Sequence, residues 1–241
     1  MDIKTKWYLG FDCATKTFAF SLSHIDLDTY NIHASRIRSQ LANTAELLKK
    51  STPETIDSIY QLVSKLDIET KEYINIVDGE TVDLFPSRSD ASISTVERIR
   101  AVSRYINSRI IPSIRRLVPV GEKLMVVVEF QMGQNVRARA VASAILTLFC
   151  EEEIIIVGPS LKNKVSTCEA GRYCYFAEKY TTSYSANKAH TKYNFANIER
   201  LFGSGILNMS DAKKGHIADS FIQVLGHLIF GKADSLTNLQ F

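Results

Sequence analysis

The chain has 241 residues, of which 45% are hydrophobic and 23% are charged, as in an ordinary soluble globular protein. No apolar run is long enough to span a bilayer and the N-terminus lacks the apolar core of a signal peptide, so we expect an intracellular protein that is neither secreted nor bound to a membrane. The formal net charge is only +3, but Lys and Arg outnumber Asp and Glu between residues 91 and 200, which suggests that this half contacts a polyanion.

The first predicted elements form a β-hairpin. Residues Trp7 to Asp12 and Phe18 to Ser23 are crowded with branched and aromatic side chains, which is typical of strands, and a short turn separates them. Apolar residues then recur with a helical period over 43–67, inside an acidic stretch. We therefore expect one domain over 1–241 with a helical insertion at about 26–72.

Two further strands and a long helix are expected in the middle of the chain. The segment from Tyr73 to Phe85 predicts a strand, a turn at Asp78-Gly79 and a second strand, because Asp-Gly between β-prone runs is typical of hairpins. The apolar spacing over 94–111 predicts a long helix, which Pro112 should end or kink.

The second half alternates between buried strands and helices. We expect a central strand at Leu124–Phe130, a helix at Asn135–Phe149 and a short strand at Ile154–Val157. Two more helices are expected at Ala186–Phe202 and Gly215–Phe230. The hairpin, the buried strands and the intervening helices predict an α/β protein with a mixed sheet flanked by helices.

Three acidic residues stand at the ends of these apolar elements. Asp12 ends the first strand, Glu129 ends the central strand, and Asp219 opens the last helix. An unpaired carboxylate inside an apolar segment is costly, and neighbouring elements would bring the three together. Such a cluster favours a hard cation such as Mg²⁺.

Each acidic residue also has a simpler interpretation when it is taken alone. Asp12 could cap the turn that follows it, and Asp219 could be a first-turn acid favoured by the helix dipole. Glu129 could form a partly buried ion pair with Arg137 or Arg139. The order of the three acids along the chain is what favours a shared metal site.

The last helix adds two more polar side chains to this pattern. His216, Asp219 and Gln223 occur at i, i+3 and i+7, so they share one helix face. A histidine in such a position is more often a helix-entry or surface residue than a ligand. Because His216 occurs together with the acidic residues, it is a candidate metal ligand here.

Three segments resemble parts of one known superfamily. Residues 10–16 resemble the first-strand signature of ribonuclease-H-like nucleases, an acid followed by a small-residue turn. Residues 128–135 are similar to the central strand-to-helix segment of RuvC-type Holliday-junction resolvases, and 216–221 match that family's closing pattern. The resemblance covers most of 7–23 and 74–231 and is closest to the resolvases of large DNA viruses such as poxviruses.

The resemblance implies a ribonuclease-H-like fold, with antiparallel hairpin strands and parallel strands, and a Mg²⁺-dependent endonuclease that nicks four-way DNA junctions symmetrically. It implies two Mg²⁺ ions, with Mn²⁺ as a substitute, and a location in the cytoplasm of an infected cell or in the nucleus. Symmetric incision needs two active sites, so a homodimer is implied, with the apolar face of the helix at 94–111 or of the helix at 135–149 as its interface. The catalytic and metal-binding residues would be Asp12, Glu129, His216 and Asp219.

Two points stay open at this stage. Many relatives have a carboxylate where this chain has His216, so the metal coordination is not fixed. Rival functions are a flap or RNA–DNA-hybrid nuclease of the same fold and a non-catalytic protein that binds branched DNA.

Basic and amide side chains near the acidic motifs are candidates for contacts with DNA phosphates, which would give affinity without sequence preference. Any one of them could equally be an ordinary solubilising residue. The candidates are Lys16, Gln131, Asn135, Arg137, Arg139, Lys162, Asn163, Lys164, Lys213 and Lys214.

Overall fold

The protein is described from a computed structural model. The residues that it describes are 5–13, 16–26, 28–29, 74–129, 135–158 and 211–230, with the backbone alone at 5, 211–214 and 229–230. Several predictions lie outside these residues, namely the helices at 43–67 and 186–202 and the DNA contacts Gln131, Lys162, Asn163 and Lys164.

The described residues contain a five-stranded mixed sheet. The strands are β1 (Thr5–Asp12), β2 (Thr17–Asp26), β3 (Ile74–Asp83), β4 (Leu124–Glu129) and β5 (Glu153–Val157). Their order across the sheet is β3-β2-β1-β4-β5. Strand β2 is antiparallel to both of its neighbours, whereas β1, β4 and β5 are parallel. Strands β1, β3, β4 and β5 therefore end at the same edge of the sheet.

Helices cover both faces of this sheet, so the protein is α/β as predicted. One long helical stretch consists of α1 (Thr95–Tyr105), a π-helical segment (Ile106–Ile110) and α2 (Ile111–Leu117). Helix α3 (Val136–Leu148) follows β4, and α4 (Asp211–Phe230) is the last described element. None of the described helices is both long enough and apolar enough to cross a membrane.

The alternation of side chains along the strands gives each sheet face its own core. Tyr8, Met125 and Val127 lie in the core beneath α4. Leu9 and Phe11 lie in the opposite core, which α1 and α3 cover. Among the described elements, α4 covers one face of the sheet, and the candidate site belongs to that face.

The predicted turn at Asp78-Gly79 is wrong, because both residues lie inside the continuous strand β3. The pairing of β3 with β2 shifts its register at an irregularity opposite Leu22 and Ser23. A Cβ on Gly79 would lie 3.1 Å from the Phe20 carbonyl oxygen in β2, which is tighter than an ordinary contact, whereas Ile217 in α4 would be at a normal contact distance of 3.4 Å. The Asp-Gly pair therefore occurs here inside a strand whose backbone is crowded by its neighbouring strand.

Asp78 is held within the strand by residues of the long helical stretch. Arg109 donates two hydrogen bonds of 2.9 Å to its carboxylate, and the Ser113 hydroxyl also donates to it. Burial acts to raise the pKa of Asp78, but the hydrogen bonds from Arg109 and Ser113 outweigh burial and lower that pKa. This ion pair ties β3 to the helical layer.

Pro112 does not end the long helix, which continues to Leu117. A proline lacks an N–H and clashes with the preceding helical turn. Here the π-helical segment Ile106–Ile110 widens the turn directly before it and accommodates that clash. The π-helical segment also keeps Ile106 and Ile110 in the core, where both are fully buried.

The apolar helix faces that were considered as dimer surfaces are occupied within the chain. Val102 and Ile106 from the first helical stretch and Val141 and Ile145 from α3 are all buried against the sheet. These four residues therefore belong to the core of the chain and are not available for a dimer interface.

The last helix begins at Asp211, four residues before the predicted start at Gly215. The apolar periodicity that marked the helix in the sequence begins only near Ile217, so the polar first turn was missed. His216 and Asp219 consequently lie within the helix rather than at its entry.

Candidate active site

Two carboxylates lie side by side at the ends of neighbouring parallel strands. Phe11 of β1 is aligned with Val128 of β4, so Asp12 and Glu129 are the next pair along. Phe11 and Val128 belong to the core under α1 and α3, and alternation directs Asp12 and Glu129 to the opposite face, beneath α4. Both acids are buried, with exposed fractions of 6% and 1%.

Helix α4 supplies a partner to each of these carboxylates. His216 Nδ1 lies 2.7 Å from Asp12 Oδ2, and Gln223 Nε2 donates a hydrogen bond to Glu129 Oε2. In the neutral ring, a proton on Nδ1 donated to Asp12 leaves Nε2 as the acceptor nitrogen. The two contacts fix the helix across the ends of β1 and β4.

Asp219 lies on the same face of α4, between His216 and Gln223, and is half-buried. The structure thus brings Asp12 together with His216 and Glu129 together with Gln223, and helix periodicity puts Asp219 between the two pairs. Among the side chains that the structure describes, no three His, Cys, Asp or Glu are grouped closely enough to hold a metal ion.

A glycine in β1 explains how the helix comes so close to the strand ends. A Cβ on Gly10 would lie 2.2 Å from the Ser220 carbonyl oxygen and 2.9 Å from Val224 Cγ2, both in α4. Any larger residue at position 10 would push the helix away from Asp12. The sequence placed Gly10 in a motif but did not indicate this role.

The site is electronegative. Burial raises the pKa of the Cys13 thiol well above its usual value, and the charges of Asp12 and Glu129 raise it further. The Gln223 Oε1 atom is buried and has no hydrogen-bond partner in the described part of the chain. Carboxylate and carboxamide oxygens are the donor type that a hard cation prefers, so the chemistry of these side chains suits Mg²⁺.

Two of the predicted DNA contacts take part in ion pairs. Lys16 Nζ lies 3.3 Å from Asp83, and Arg137 Nη1 lies 3.1 Å from Asp90. The ion pair of Arg137 is thus with a loop acid rather than with Glu129, its alternative partner in the sequence interpretation. Asp90 also binds Arg98, which is fully buried.

The remaining basic and amide candidates have mixed environments. Asn135 caps α3, since its side-chain oxygen accepts from the Ala138 N–H at 3.2 Å. Arg139 has a buried Nε without a hydrogen-bond partner among the described residues. Lys213 and Lys214 lie in α4, where the structure describes their backbone alone.

Gln223→Met should destabilise the protein, because the buried Glu129 carboxylate loses a hydrogen bond that methionine cannot replace. A hydrogen bond to a charged group contributes about 1.5–3 kcal/mol. Urea unfolding of Gln223→Met, Glu129→Gln and the double variant should give a coupling free energy of about this size. Ile222→Val on the same helix is the control, and its cost should add to that of Glu129→Gln. If the stability costs of Gln223→Met and Glu129→Gln also simply added, the hydrogen bond between the two side chains would be contradicted.

No protein-family model, curated protein or solved structure matches this chain. The interpretation of the site therefore depends on the residues and their placement.

Proposed function

We propose that the protein is a metal-dependent endonuclease that resolves four-way DNA junctions by paired, symmetric nicks. The observation that carries this proposal is the placement of Asp12 and Glu129, two buried acids at adjacent strand ends beneath a helix with a further histidine and aspartate. Few structural roles require such a group at one sheet edge, whereas phosphodiester hydrolysis with metal ions does.

Asp12, Glu129 and Asp219 would provide oxygen ligands for Mg²⁺, with His216 beside them. When bound, Mg²⁺ supplies Lewis-acid activation of a phosphate and of the attacking water and stabilises the leaving oxygen. Mn²⁺ has similar ligand preferences and should substitute.

The other side chains of the site orient these ligands. His216 holds Asp12 through Nδ1, and its Nε2 can accept a proton at the more exposed side of the site, where the His216 side chain is 35% exposed. Gln223 holds Glu129 from the buried side. Partners of this kind orient metal ligands and are worth about 10- to 100-fold in metal affinity or activity.

The fold is compatible with this proposal. The mixed sheet has two antiparallel pairings followed by two parallel ones, as a ribonuclease-H-like sheet would require. Together with the resemblance of three motifs, this supports a proposal that the chain is a RuvC-type resolvase related to those of large DNA viruses. Selectivity for junctions and the homodimer that symmetric incision requires follow from that resemblance.

The test is incubation with a synthetic four-way junction and with a linear duplex of the same sequence, with and without Mg²⁺. We expect paired nicks at symmetric positions in the junction, only with Mg²⁺, and little cleavage of the duplex. Cleavage of flaps or of RNA–DNA hybrids instead would indicate another nuclease of the same fold. Binding of the junction without cleavage in Mg²⁺ or Mn²⁺ would indicate a non-catalytic protein.

A further inference from the structure

The helical stretch from Thr95 to Leu117 is strongly basic, with six arginines and one glutamate. The glutamate, Glu97, is bound by Arg88 in an ion pair of 2.8 Å. Arg98 binds Asp90, and Arg109 binds Asp78 and Glu80. The other four are exposed and form what we call the arginine ridge, which consists of Arg100, Arg104, Arg115 and Arg116.

The ridge lies on the side of the helix that faces away from the sheet. Val102, Ile106 and Ile110 mark the opposite, buried side. Arg100 and Arg104 are one helical turn apart. The π-helical segment holds one residue more than an α-helical turn, which rotates α2 relative to α1 so that Arg116 is also exposed to solvent. At 1.5 Å per residue the ridge is about 24 Å long.

No member of the ridge has a hydrogen bond or an ion pair within the described residues, in contrast to Arg88, Arg98, Arg109 and Arg137. Like charges one helical turn apart repel each other. Within the part of the chain that the structure describes, the arrangement therefore costs stability and brings no ion pair or hydrogen bond in return. A polyanion bound along the ridge would neutralise it.

The position of the ridge suggests how that polyanion lies. The long helix begins after β3, whose end lies at the same edge of the sheet as Asp12. It ends before β4, whose start lies at the opposite edge. Arg100 is thus near the edge with the candidate site and Arg116 is distant from it. The ridge belongs to the helical layer opposite α4, so it does not form part of that site.

We propose that the arginine ridge binds the phosphate backbone of one duplex arm of the DNA as the arm leaves the candidate site. The choice of DNA as the polyanion rests on the proposed function. Duplex DNA carries a phosphate charge for about every 1.7 Å of axis, so an arm alongside the ridge offers a phosphate near each guanidinium. Arginine suits this contact because its planar fork binds phosphate with two hydrogen bonds.

The test is binding of linear duplex DNA in EDTA, where no cleavage occurs, over a range of salt concentrations. Each phosphate contact that is lost should flatten the slope of log affinity against log salt by about 0.9. Arg100→Ala with Arg104→Ala should flatten it by about two units, and a fourfold alanine variant by about three to four. Four lysines in place of the arginines should retain most of the slope.

Lys123→Ala is the matched control, since it removes an exposed charge outside the ridge. Its slope should equal that of the parent. The alanine variants should unfold at the same urea concentration as the parent or a slightly higher one, because the four side chains are exposed and their mutual repulsion is relieved. If the fourfold variant keeps the parent's slope, or if the parent does not bind duplex DNA, the inference is wrong. If the fourfold variant loses duplex binding but the parent protein never cleaves junctions, the role of the ridge is supported and the proposed activity is rejected.

Discussion

Asp12→Asn should abolish cleavage of a four-way junction while the protein remains folded and still binds the junction. The asparagine keeps the shape of the side chain, but it removes the charge that would hold Mg²⁺ beside Glu129. Loss of a metal ligand should cost several kcal/mol of transition-state stabilisation, which corresponds to about 10³-fold or more in rate. Glu129→Gln and Asp219→Asn should behave in the same way. Single-turnover cleavage in Mg²⁺ measures the rate, and gel shift in Ca²⁺ measures binding.

Asp83→Asn provides the control for this series. Asp83 is a carboxylate at the same edge of the sheet, but it is partly exposed and paired with Lys16. Its loss changes the charge by the same amount without removing a proposed ligand, so the cleavage rate should stay within a few-fold of the parent's. A near-normal rate in Asp12→Asn, Glu129→Gln or Asp219→Asn would exclude that residue from the site.

Gly10→Ala should both destabilise the protein and disable the site. The new methyl group would lie 2.2 Å from the Ser220 carbonyl oxygen, and backbone on both sides cannot yield without moving α4. Overpacking of this kind costs about 1–3 kcal/mol, and occasionally more. The displaced helix would lengthen the contacts of His216 with Asp12 and of Gln223 with Glu129. Urea unfolding should show the loss of stability, and cleavage should fall even where the variant is fully folded.

Gly215→Ala is the matched control because it makes the same change in α4 itself. An added Cβ at position 215 meets no atom within 4 Å. Alanine in a helix interior is more favourable than glycine by about 0.5–1 kcal/mol, so this variant should be slightly more stable than the parent. If Gly10→Ala were as stable as the parent, the close approach of helix and strand would be refuted.

The parts of the fold that could be predicted are those that depend on neighbours in sequence. Branched and aromatic residues marked β1, β2 and β4, and apolar periodicity marked α3 and most of α4. The turn expected at Asp78-Gly79 failed because the contacts of that pair lie far along the chain, with Arg109 and with the Phe20 carbonyl oxygen. Local composition cannot distinguish a glycine in a turn from one packed closely against a neighbouring strand.

In the candidate site, too, the features that depend on nearby sequence could be predicted and those that depend on distant residues could not. Asp12 and Glu129 could be selected because both are acids at the ends of apolar runs and they occur, with Asp219, in a definite order along the chain. Gln223 was recognised only as a neighbour on the helix face, since its contact with Glu129 depends on how α4 crosses the sheet. The buried position of Arg98 depends on distant structure in a similar way, because its partner Asp90 belongs to the segment before the helix begins.

The π-helical segment at Ile106–Ile110 lets the long helix hold one residue more than an α-helix of the same path would. Asn107 and Ser108 are exposed, so substitutions there should be tolerated. Deleting either one would convert the segment to ordinary α-helical turns and leave the residues after it in nearly the same phase, with Ser113 still facing Asp78 and Arg116 still facing solvent. The same deletion within α1 would rotate every residue after it by about 100°. The segment thus acts as a phase correction, and a single-residue deletion should be far less damaging there than in α1.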